Sequence, residues 1–260
     1  MILLKPTTYL FSAAGCAALH GFIDRATLFA FDLDGTLAPI AADPSLIMIA
    51  EEVRRGLIRL GQIAPLAIIT GRARADARAH LGFEPLFLVG NHGAEGLPDG
   101  AGRGDGYVRL CRDWEQQLRL LLPNDRHVGI IVENKGETLS IHYRNLPERE
   151  RARGVILESI QRLTPLPRLV SGKFVENLLP QDAPNKGEAL ASIMRRSGCR
   201  RSLFVGDDET DEDVFRLRDD HVFGIRVGRD SASAARYFIH EQNEIGPLLA
   251  ELIESLTRND

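Results

Sequence analysis

The chain has 260 residues, enough for one large or two modest domains with a sizeable core. Apolar residues make up 44% and charged residues 26%, with a formal net charge of −4, so no general attraction to nucleic acid or to a membrane surface is expected. The 3 cysteines (Cys16, Cys111, Cys199) are far apart and form no CxxC, and the 7 histidines form no metal-spaced cluster. That excludes a disulfide framework and points to a reducing, cytoplasmic compartment.

Residues 1–24 carry one Lys and a run of apolar and small residues that includes Ala13, Ala14, Gly15 and Cys16. A signal peptide or lipoprotein cleavage site has this character. However, Pro6, Thr7, Thr8 and Tyr9 interrupt the run, which is too short and broken for a membrane span. A short amphipathic helix over residues 12–23, leading into the first strand, explains it as well and is the reading preferred.

Residues 28–31 (LFAF) run straight into Asp32, Leu33, Asp34, Gly35 and Thr36. An apolar run ending in a turn signal reads as a buried strand. Ligands of parallel α/β sheets bind beyond the carboxyl ends of the strands. Two acids placed there are costly unless a cation or a phosphate gives them a purpose. The pattern fits phosphoryl transfer. One carboxylate can attack phosphorus, and the other can protonate the leaving oxygen and later deprotonate water. Mg²⁺ would screen the repulsion between the anions, and Gly35 would let backbone N–H groups approach the phosphate. An EF-hand is excluded, because its later acids and closing Glu are missing. A ligand-free Asp-rich turn is the plain alternative.

A helix is expected over 44–60, with Val53, Leu57, Ile58 and Leu60 apolar. A second buried strand over 64–69 ends in Thr70-Gly71-Arg72, which offers a hydroxyl, a Gly and a base, or simply a Thr-capped helix start running to about residue 81. A third strand over 86–89 leads to Gly90-Asn91-His92-Gly93-Ala94-Glu95. Residues 93–106 are rich in Gly and read as a domain hinge; no GxGxxG is present.

The pattern then changes. A helix over 108–122 carries Leu110, Trp114, Leu118 and Leu121 at helical spacing. Two strands over 127–132 and 137–143 flank a turn at 133–136. A helix over 147–163 and a hairpin within 168–179, about Ser171-Gly172, complete a small sheet with helices on one face. Glu133, Lys135, His142, Arg144 and Glu176 lie in or beside these strands, where solvated faces explain them without a function.

Asn185-Lys186-Gly187 opens a helix over 188–196. A Lys at a helix start sits at the wrong end of the dipole, which suggests a nearby phosphate or carboxylate. A buried strand over 202–205 ends in Gly206-Asp207-Asp208-Glu209-Thr210-Asp211-Glu212-Asp213, a concentration of acids that makes a divalent-cation site. Glu212 and Asp213 read as helix N-terminal acids. Strands over 222–227 and 236–239 and a helix over 243–256 close the chain.

Each oddity has a bland explanation alone, but one parallel sheet would gather Asp32, Asp34, Thr70, Lys186, Asp207, Asp208 and Asp211 at one edge. This order (DxDGT, strand-Thr, Lys, GDDxxD) resembles the haloacid-dehalogenase superfamily of phosphotransferases from about residue 25 onward. FDLDGTLAPI, TGR, NHGAE, VENKGETLSIHYR, GKFVEN with Pro180, NKGEAL and GDDETDED further resemble the trehalose-6-phosphate phosphatase family.

The resemblance implies an α/β fold, with a Rossmann-like doubly wound parallel sheet core (25–104 plus 182–260). A mobile α+β cap would span 105–181, behind an N-terminal helical segment over 1–24. It implies Asp32 as nucleophile and Asp34 as general acid and base. Thr70 and Lys186 would bind the phosphoryl group, with Gly35, Thr36 and Gly71 beside them. Mg²⁺ would be held by Asp32, the Asp34 carbonyl and Asp207, supported by Asp208 and Asp211. Glu133, Lys135 and Glu176 match positions that grip the distal sugar, and Arg72, Asn91, His92, Glu95, His142 and Arg144 are expected on the substrate rim.

The activity so implied is hydrolysis of trehalose 6-phosphate, the last step of trehalose biosynthesis, through an aspartyl-phosphate. The partner is a small-molecule sugar phosphate, with no nucleic acid and no membrane. Two departures bear on the sugar. Glu176-Asn177-Leu178-Leu179-Pro180 is one residue longer before its Pro than the family's Glu-[Leu/Val]-[Arg/Lys]-Pro, and Asn91 stands where Ser or a small residue is commoner. A phosphatase for sucrose phosphate, mannosylphosphoglycerate or glucosylglycerol phosphate stays open, as do a mutase and a non-catalytic regulator that binds a sugar phosphate.

Overall fold

A computed structural model describes residues 8–41, 43–97, 104–122, 129–172, 174–217 and 220–258. Parts of four expected features lie outside these: the start of the N-terminal segment, the middle of the 93–106 hinge, the first residues of the strand placed at 127–132, and residue 173 of the hairpin placed within 168–179. In chain order the elements are β1 (Thr8–Tyr9), α1 (Ala13–Phe22), β2 (Leu28–Phe31), α2 (Glu51–Ile63), β3 (Leu66–Ile69), α3 (Arg74–Leu81), β4 (Phe87–Val89), α4 (Gly104–Leu121), β5 (Ile131–Asn134) and β6 (Leu139–His142). They continue with α5 (Arg149–Ile160), β7 (Arg168–Gly172), β8 (Val175–Leu179), α6 (Lys186–Ser197), β9 (Ser202–Gly206), α7 (Glu212–Phe215), β10 (Val222–Val227), β11 (Tyr237–Ile239) and α8 (Ile245–Arg258). The chain divides into two compact units, Met1–Pro98 with Pro184–Asp260, and Asp99–Ala183.

The first unit is built on a seven-stranded parallel sheet in the order β1-β11-β10-β9-β2-β3-β4. Its strands are apolar on both faces because both are covered. Phe29 and Phe31 of β2 join Leu57 of α2 and Leu248 and Leu252 of α8 in one buried cluster. Leu28 and Ala30 join Leu190 and Ile193 of α6 in another. Each such large side chain contributes about 1.5–3 kcal/mol by leaving water. The chain runs outward from β2 through β3 to β4, then returns to β9 on the other side and runs outward again. The order therefore reverses between β2 and β9, and a doubly wound sheet opens its ligand crevice at that point.

Two local expectations are corrected, and the N-terminal helix gains a strand before it. The helix expected over 44–60 is a 3₁₀ turn at Pro44–Leu46, followed by α2 starting at Glu51. Between them Ile47 and Ile49 are buried while Met48 is exposed, the period of two of an extended segment. The N-terminal helix is preceded by β1, a two-residue strand too short to announce itself, which pairs with β11. Ser12 caps α1, and Leu10 and Leu19 are fully buried. The turn expected at 133–136 falls one to two residues later. Asn134 Oδ1 accepts from the Gly136 N–H (2.9 Å) and the Lys135 N–H bonds the Thr138 carbonyl (2.9 Å), which leaves Glu133 inside β5.

The second unit is a four-stranded antiparallel sheet in the order β5-β6-β8-β7. Leu139, Ile141 and Leu178 pack with Trp114 and Leu118 of α4 and Ile156 of α5. The indole of Trp114 donates to the Pro165 carbonyl (2.7 Å). The hairpin expected about Ser171-Gly172 turns after them, as both residues belong to β7. Register sorts the two faces. Ile141, Glu176 and Ser171 stand abreast on the helix-covered face, whereas Glu133, Ser140, Asn177 and Val170 stand abreast on the other. Among the described residues, no helix is long and apolar enough to cross a membrane.

Candidate active site

The carboxyl ends of β2, β3 and β9 and the first turn of α6 supply the site. Asn185 caps α6 in a reciprocal capping box with Glu188 (2.8 and 2.9 Å). The helix is thereby forced to begin at Lys186, whose side chain is 2% exposed. Its Nζ donates to Asp32 Oδ1 (2.9 Å) and Asp211 Oδ1 (2.8 Å), which resolves the misfit of a cation at the positive end of a helix. Gly187 permits this packing, since a Cβ there would lie 2.5 Å from the Asp213 carbonyl oxygen.

The acids after β9 divide their work. Asp211 Oδ2 accepts the backbone N–H groups of Asp207 (2.8 Å) and Asp208 (3.0 Å), so this side chain folds its own loop and braces Lys186. Asp208 Oδ1 accepts from the backbone and hydroxyl of Thr210 (2.8 and 2.7 Å) and from the Asp211 N–H (3.2 Å). Asp207 projects toward β2, where the Thr36 hydroxyl donates to its Oδ1 (3.0 Å). Gly35 has φ +83°, and a Cβ there would lie 2.1 Å from Asp207 Oδ2. A role for Gly35 absent from the sequence reading is thus to make room for a carboxylate. Glu212 was read as a helix N-terminal acid and does begin α7. Its carboxylate also accepts from the Ser233 hydroxyl (2.5 Å) and the Ala234 N–H (2.9 Å), which ties the loop after β10 to the acidic turn.

The electrostatics mark the place for a cation. Burial pushes Asp32 well above the usual carboxylate range, against the pull of Lys186. Burial, together with Asp211 and Asp208, pushes Asp207 up to about 7. Burial pushes Asp211 up to about 6, with Lys186 opposing. For Asp208, burial is outweighed by Lys186, the Thr210 hydrogen bonds and His92, and its carboxyl is held at about 2. One buried ammonium does not balance this set. Asp32, Asp207 and Asp211 bring one carboxylate oxygen each to within 4.8 Å of one another. Buried oxygen donors with surplus negative charge fit a hard divalent cation.

The turn after β3 holds a second network. Arg72 grips Asp34 with two nitrogens, Nε to Oδ2 and Nη2 to Oδ1, both at 2.7 Å, and its Nη1 reaches Asp76 (2.6 Å). The pairing raises the Arg72 pKa further despite burial. Thr70 is fully buried, and its hydroxyl accepts from the Arg72 N–H (3.2 Å). Asn91 and His92 have φ of 50° and 58°, left-handed backbone that costs L residues energy. Their N–H groups hold this strained turn against the preceding one, Asn91 on the Arg72 carbonyl (2.7 Å) and His92 on the Thr70 carbonyl (2.9 Å). Glu95 accepts from the Arg74 N–H (2.7 Å) and the Asn91 amide (3.0 Å), so it ties this loop to the start of α3. The His92 ring lies over Gly71, where a Cβ would meet its Cε1 at 2.4 Å.

In the second unit, Glu133 pairs with His142 (2.8 Å), and Lys135 stands 3.9 Å from Glu133. The Arg144 carbonyl accepts from Arg149 (3.0 Å). Glu176 is set apart from Glu133 and His142. It is fully buried on the helix-covered face, where it accepts from Arg153 (2.8 Å), Ser171 (2.5 Å) and Tyr143 (3.2 Å). The residues that share the face of Glu133 and His142 are Ser140 and Asn177, joined by a 2.6 Å hydrogen bond. Neither was singled out from sequence; counting alternation back from Leu178, a core residue, would have found Asn177.

Comparison with known proteins gives a consistent result. The family model for trehalose-phosphatase matches residues 30–242. Trehalose-phosphate phosphatase B of Arabidopsis thaliana is 28% identical over 243 residues, 86% of this chain and 65% of that protein. The chain thus spans just under two thirds of that relative's length. Trehalose-6-phosphate phosphatase of Escherichia coli (strain K12) is 32% identical over 202 residues, 72% of this chain and 71% of that protein. Among solved structures, a trehalose-6-phosphate phosphatase related protein has a TM-score of 0.74 at 21% identity, covering 90% of this chain and 100% of that one, a likeness of fold.

Proposed function

The chain belongs to the trehalose-phosphatase family, and from that premise we propose that it hydrolyses trehalose 6-phosphate to trehalose and phosphate. The observation that carries the reading is the gathering of Asp32, Lys186, Asp207 and Asp211 at the carboxyl ends of β2 and β9 and the start of α6. A binding protein has no need of a buried carboxylate held ready beside an ammonium.

Asp32 Oδ1 is engaged by Lys186, and the other oxygen attacks phosphorus. The bond from phosphorus to the sugar oxygen breaks, and Asp34 gives that oxygen its proton. Water then attacks the phosphoaspartate, Asp34 takes its proton, and Asp32 leaves as a carboxylate. Lys186, the Thr70 hydroxyl and the backbone N–H groups of the turn around Gly35 and Thr36 hold the phosphoryl oxygens through both steps. Asp32, the Asp34 carbonyl and Asp207 would hold Mg²⁺, with Asp211 bracing the loop. When bound, the ion supplies the positive charge that lets an anion approach an anionic ester.

The second unit acts as the specificity domain in this reading. On the face where Ser140 and Asn177 are buried, the exposed Glu133 and part-exposed His142 offer donors and acceptors to sugar hydroxyls, and a site built this way rejects substrates that lack them. The cysteine usage supports a cytoplasmic setting.

The test is phosphate release from a panel of sugar phosphates, with and without Mg²⁺, for wild type and Asp32→Asn. Preferred turnover of trehalose 6-phosphate, lost without the ion and lost in the variant, is expected. Turnover of other sugar phosphates but not of this one would keep the chemistry and discard the substrate. No release from any would discard the enzyme.

A further inference from the structure

Asp34 is not idle at the crevice. Both of its oxygens accept from one guanidinium, Arg72 Nε on Oδ2 and Nη2 on Oδ1, each at 2.7 Å. The third nitrogen, Nη1, donates to Asp76 Oδ2 at 2.6 Å. The Arg72 side chain is 10% exposed, against 37% for Asp34 and 48% for Asp76. The Arg72 peptide is fixed as well, its N–H on the Thr70 hydroxyl and its carbonyl under the Asn91 N–H. Gly90 allows that approach, since a Cβ there would lie 2.6 Å from the Arg72 carbonyl oxygen. Apart from Asp34, the Arg72 side chain is held by Asp76 and its peptide by Thr70 and Asn91, and Asp34 is the more exposed of the pair.

A carboxyl group that gives up a proton must carry it on one oxygen. A two-nitrogen fork occupies both oxygens as acceptors. Each oxygen keeps a second lone pair, so Asp34 can carry a proton toward a leaving oxygen while the fork holds its orientation. Asp76 holds the far side of the guanidinium, and the two bonds to Asp34 set the direction of the carboxyl.

We propose that Arg72 is a positioning residue for Asp34: it aims the acid–base carboxyl at the substrate's leaving oxygen by a two-point grip. This rests on the phosphatase reading given above. It differs from the rim contact expected for Arg72 from sequence, in which the guanidinium binds the substrate itself.

Leaving-group dependence separates the two. p-Nitrophenyl phosphate departs as a stable phenolate and needs little proton donation, whereas an alkyl or sugar phosphate needs it fully. The kcat/KM value reports formation of the phosphoaspartate and departure of that group. The Mg²⁺-loaded full chain would be assayed across a series of aryl, alkyl and sugar phosphates as wild type, Arg72→Gln, Arg72→Lys, Asp76→Asn and Asp34→Asn. Arg72→Gln is expected to lower kcat/KM about 100-fold for alkyl and sugar esters but no more than about threefold for p-nitrophenyl phosphate. Arg72→Lys, which keeps the charge but not the fork, is not expected to rescue it. Arg72→Gln should add no further loss on top of Asp34→Asn. Asp76→Asn should tilt the series in the same direction by less, and it carries the test if Arg72→Gln does not fold. Equal loss on every ester, or full rescue by Arg72→Lys, would overturn the proposal in favour of a substrate contact. A wild type inert toward the whole series would overturn the phosphatase reading itself, which a uniform loss in an active background does not.

Discussion

Replacing Lys186 with Met removes the cation and keeps most of the volume. The ammonium is buried and bonded to two buried carboxylates, Asp32 at 2.9 Å and Asp211 at 2.8 Å. Removing one member of such a set leaves uncompensated buried charge, a loss of about 3–5 kcal/mol. For a unit of this size that is about 6–20 °C in Tm. The loss must depend on pH. Lys186 lowers the pKa of both partners, so without it Asp32 and Asp211, already raised by burial, climb further. A buried acid whose folded pKa is raised binds more protons folded than unfolded between the two pKa values, so its stability contribution is present at low pH and lost as pH rises. In the variant the window runs from the unfolded carboxylate value near 3.9 to above the 6 or so of Asp211 in the intact protein. Melting curves in a metal chelator should therefore show a Tm gap between wild type and Lys186→Met that is large at pH 8 and less than half as large at pH 5. An equal gap at both pH values would show that Lys186 acts by packing alone, and the electrostatic account would be wrong.

Three further expectations concern the same two units. Divalent-cation affinity, measured by calorimetric titration, should be at least about tenfold weaker at pH 5.5 than at pH 8, because the Asp207 carboxyl is pushed up to about 7 and protons compete for its oxygens; equal affinities would remove Asp207 from the cation site. Gly35→Ala should lower stability by about 1–2 kcal/mol through the left-handed backbone. It should also weaken cation binding, since its Cβ would displace Asp207; a lowered Tm with intact cation affinity would show that Asp207 is not needed there. In the second unit, Glu176→Gln should lower stability by about 1–3 kcal/mol with KM little changed, while Glu133→Gln, at an exposed side chain, should raise KM with Tm little changed. The reverse pattern in melting and Michaelis curves would contradict the assignment of faces.

The gathering of Asp32, Thr70, Lys186 and Asp207 was legible because strand polarity is legible. Apolar runs buried on both faces read as parallel strands, and parallel strands all present their carboxyl ends at one edge. The fork of Arg72 on Asp34 joins residues 38 apart in sequence. No local pattern encodes that pairing, because it depends on β2 and β3 being neighbours in register. Glu176, expected among the sugar contacts, is buried beside Arg153, Ser171 and Tyr143 on the helix-covered face. In a strand, a step of one residue moves a side chain to the opposite face, and the neighbouring Asn177 stands on the face of Glu133 and Ser140. The helix expected over 44–60 started late because Ile47 and Ile49, apolar at a spacing of two, bury themselves from an extended chain.

By itself the sequence determined the chemistry available to this protein. It settled which side chains stand at strand ends, that acids outnumber bases there, and that a second α+β segment interrupts the first unit. Those features are local, since hydrophobic period and turn residues act within a few positions of the chain. Only the tertiary structure decided how the charges are shared: that Lys186 is divided between Asp32 and Asp211, that Asp208 is consumed in folding its own loop, that Gly35 makes room for Asp207, and that Asp34 is aimed by Arg72. Such sharing follows from distances of about 3 Å between atoms brought together from remote parts of the chain, and the energy of a charge contact varies too steeply with distance and burial to be read before the fold brings them together.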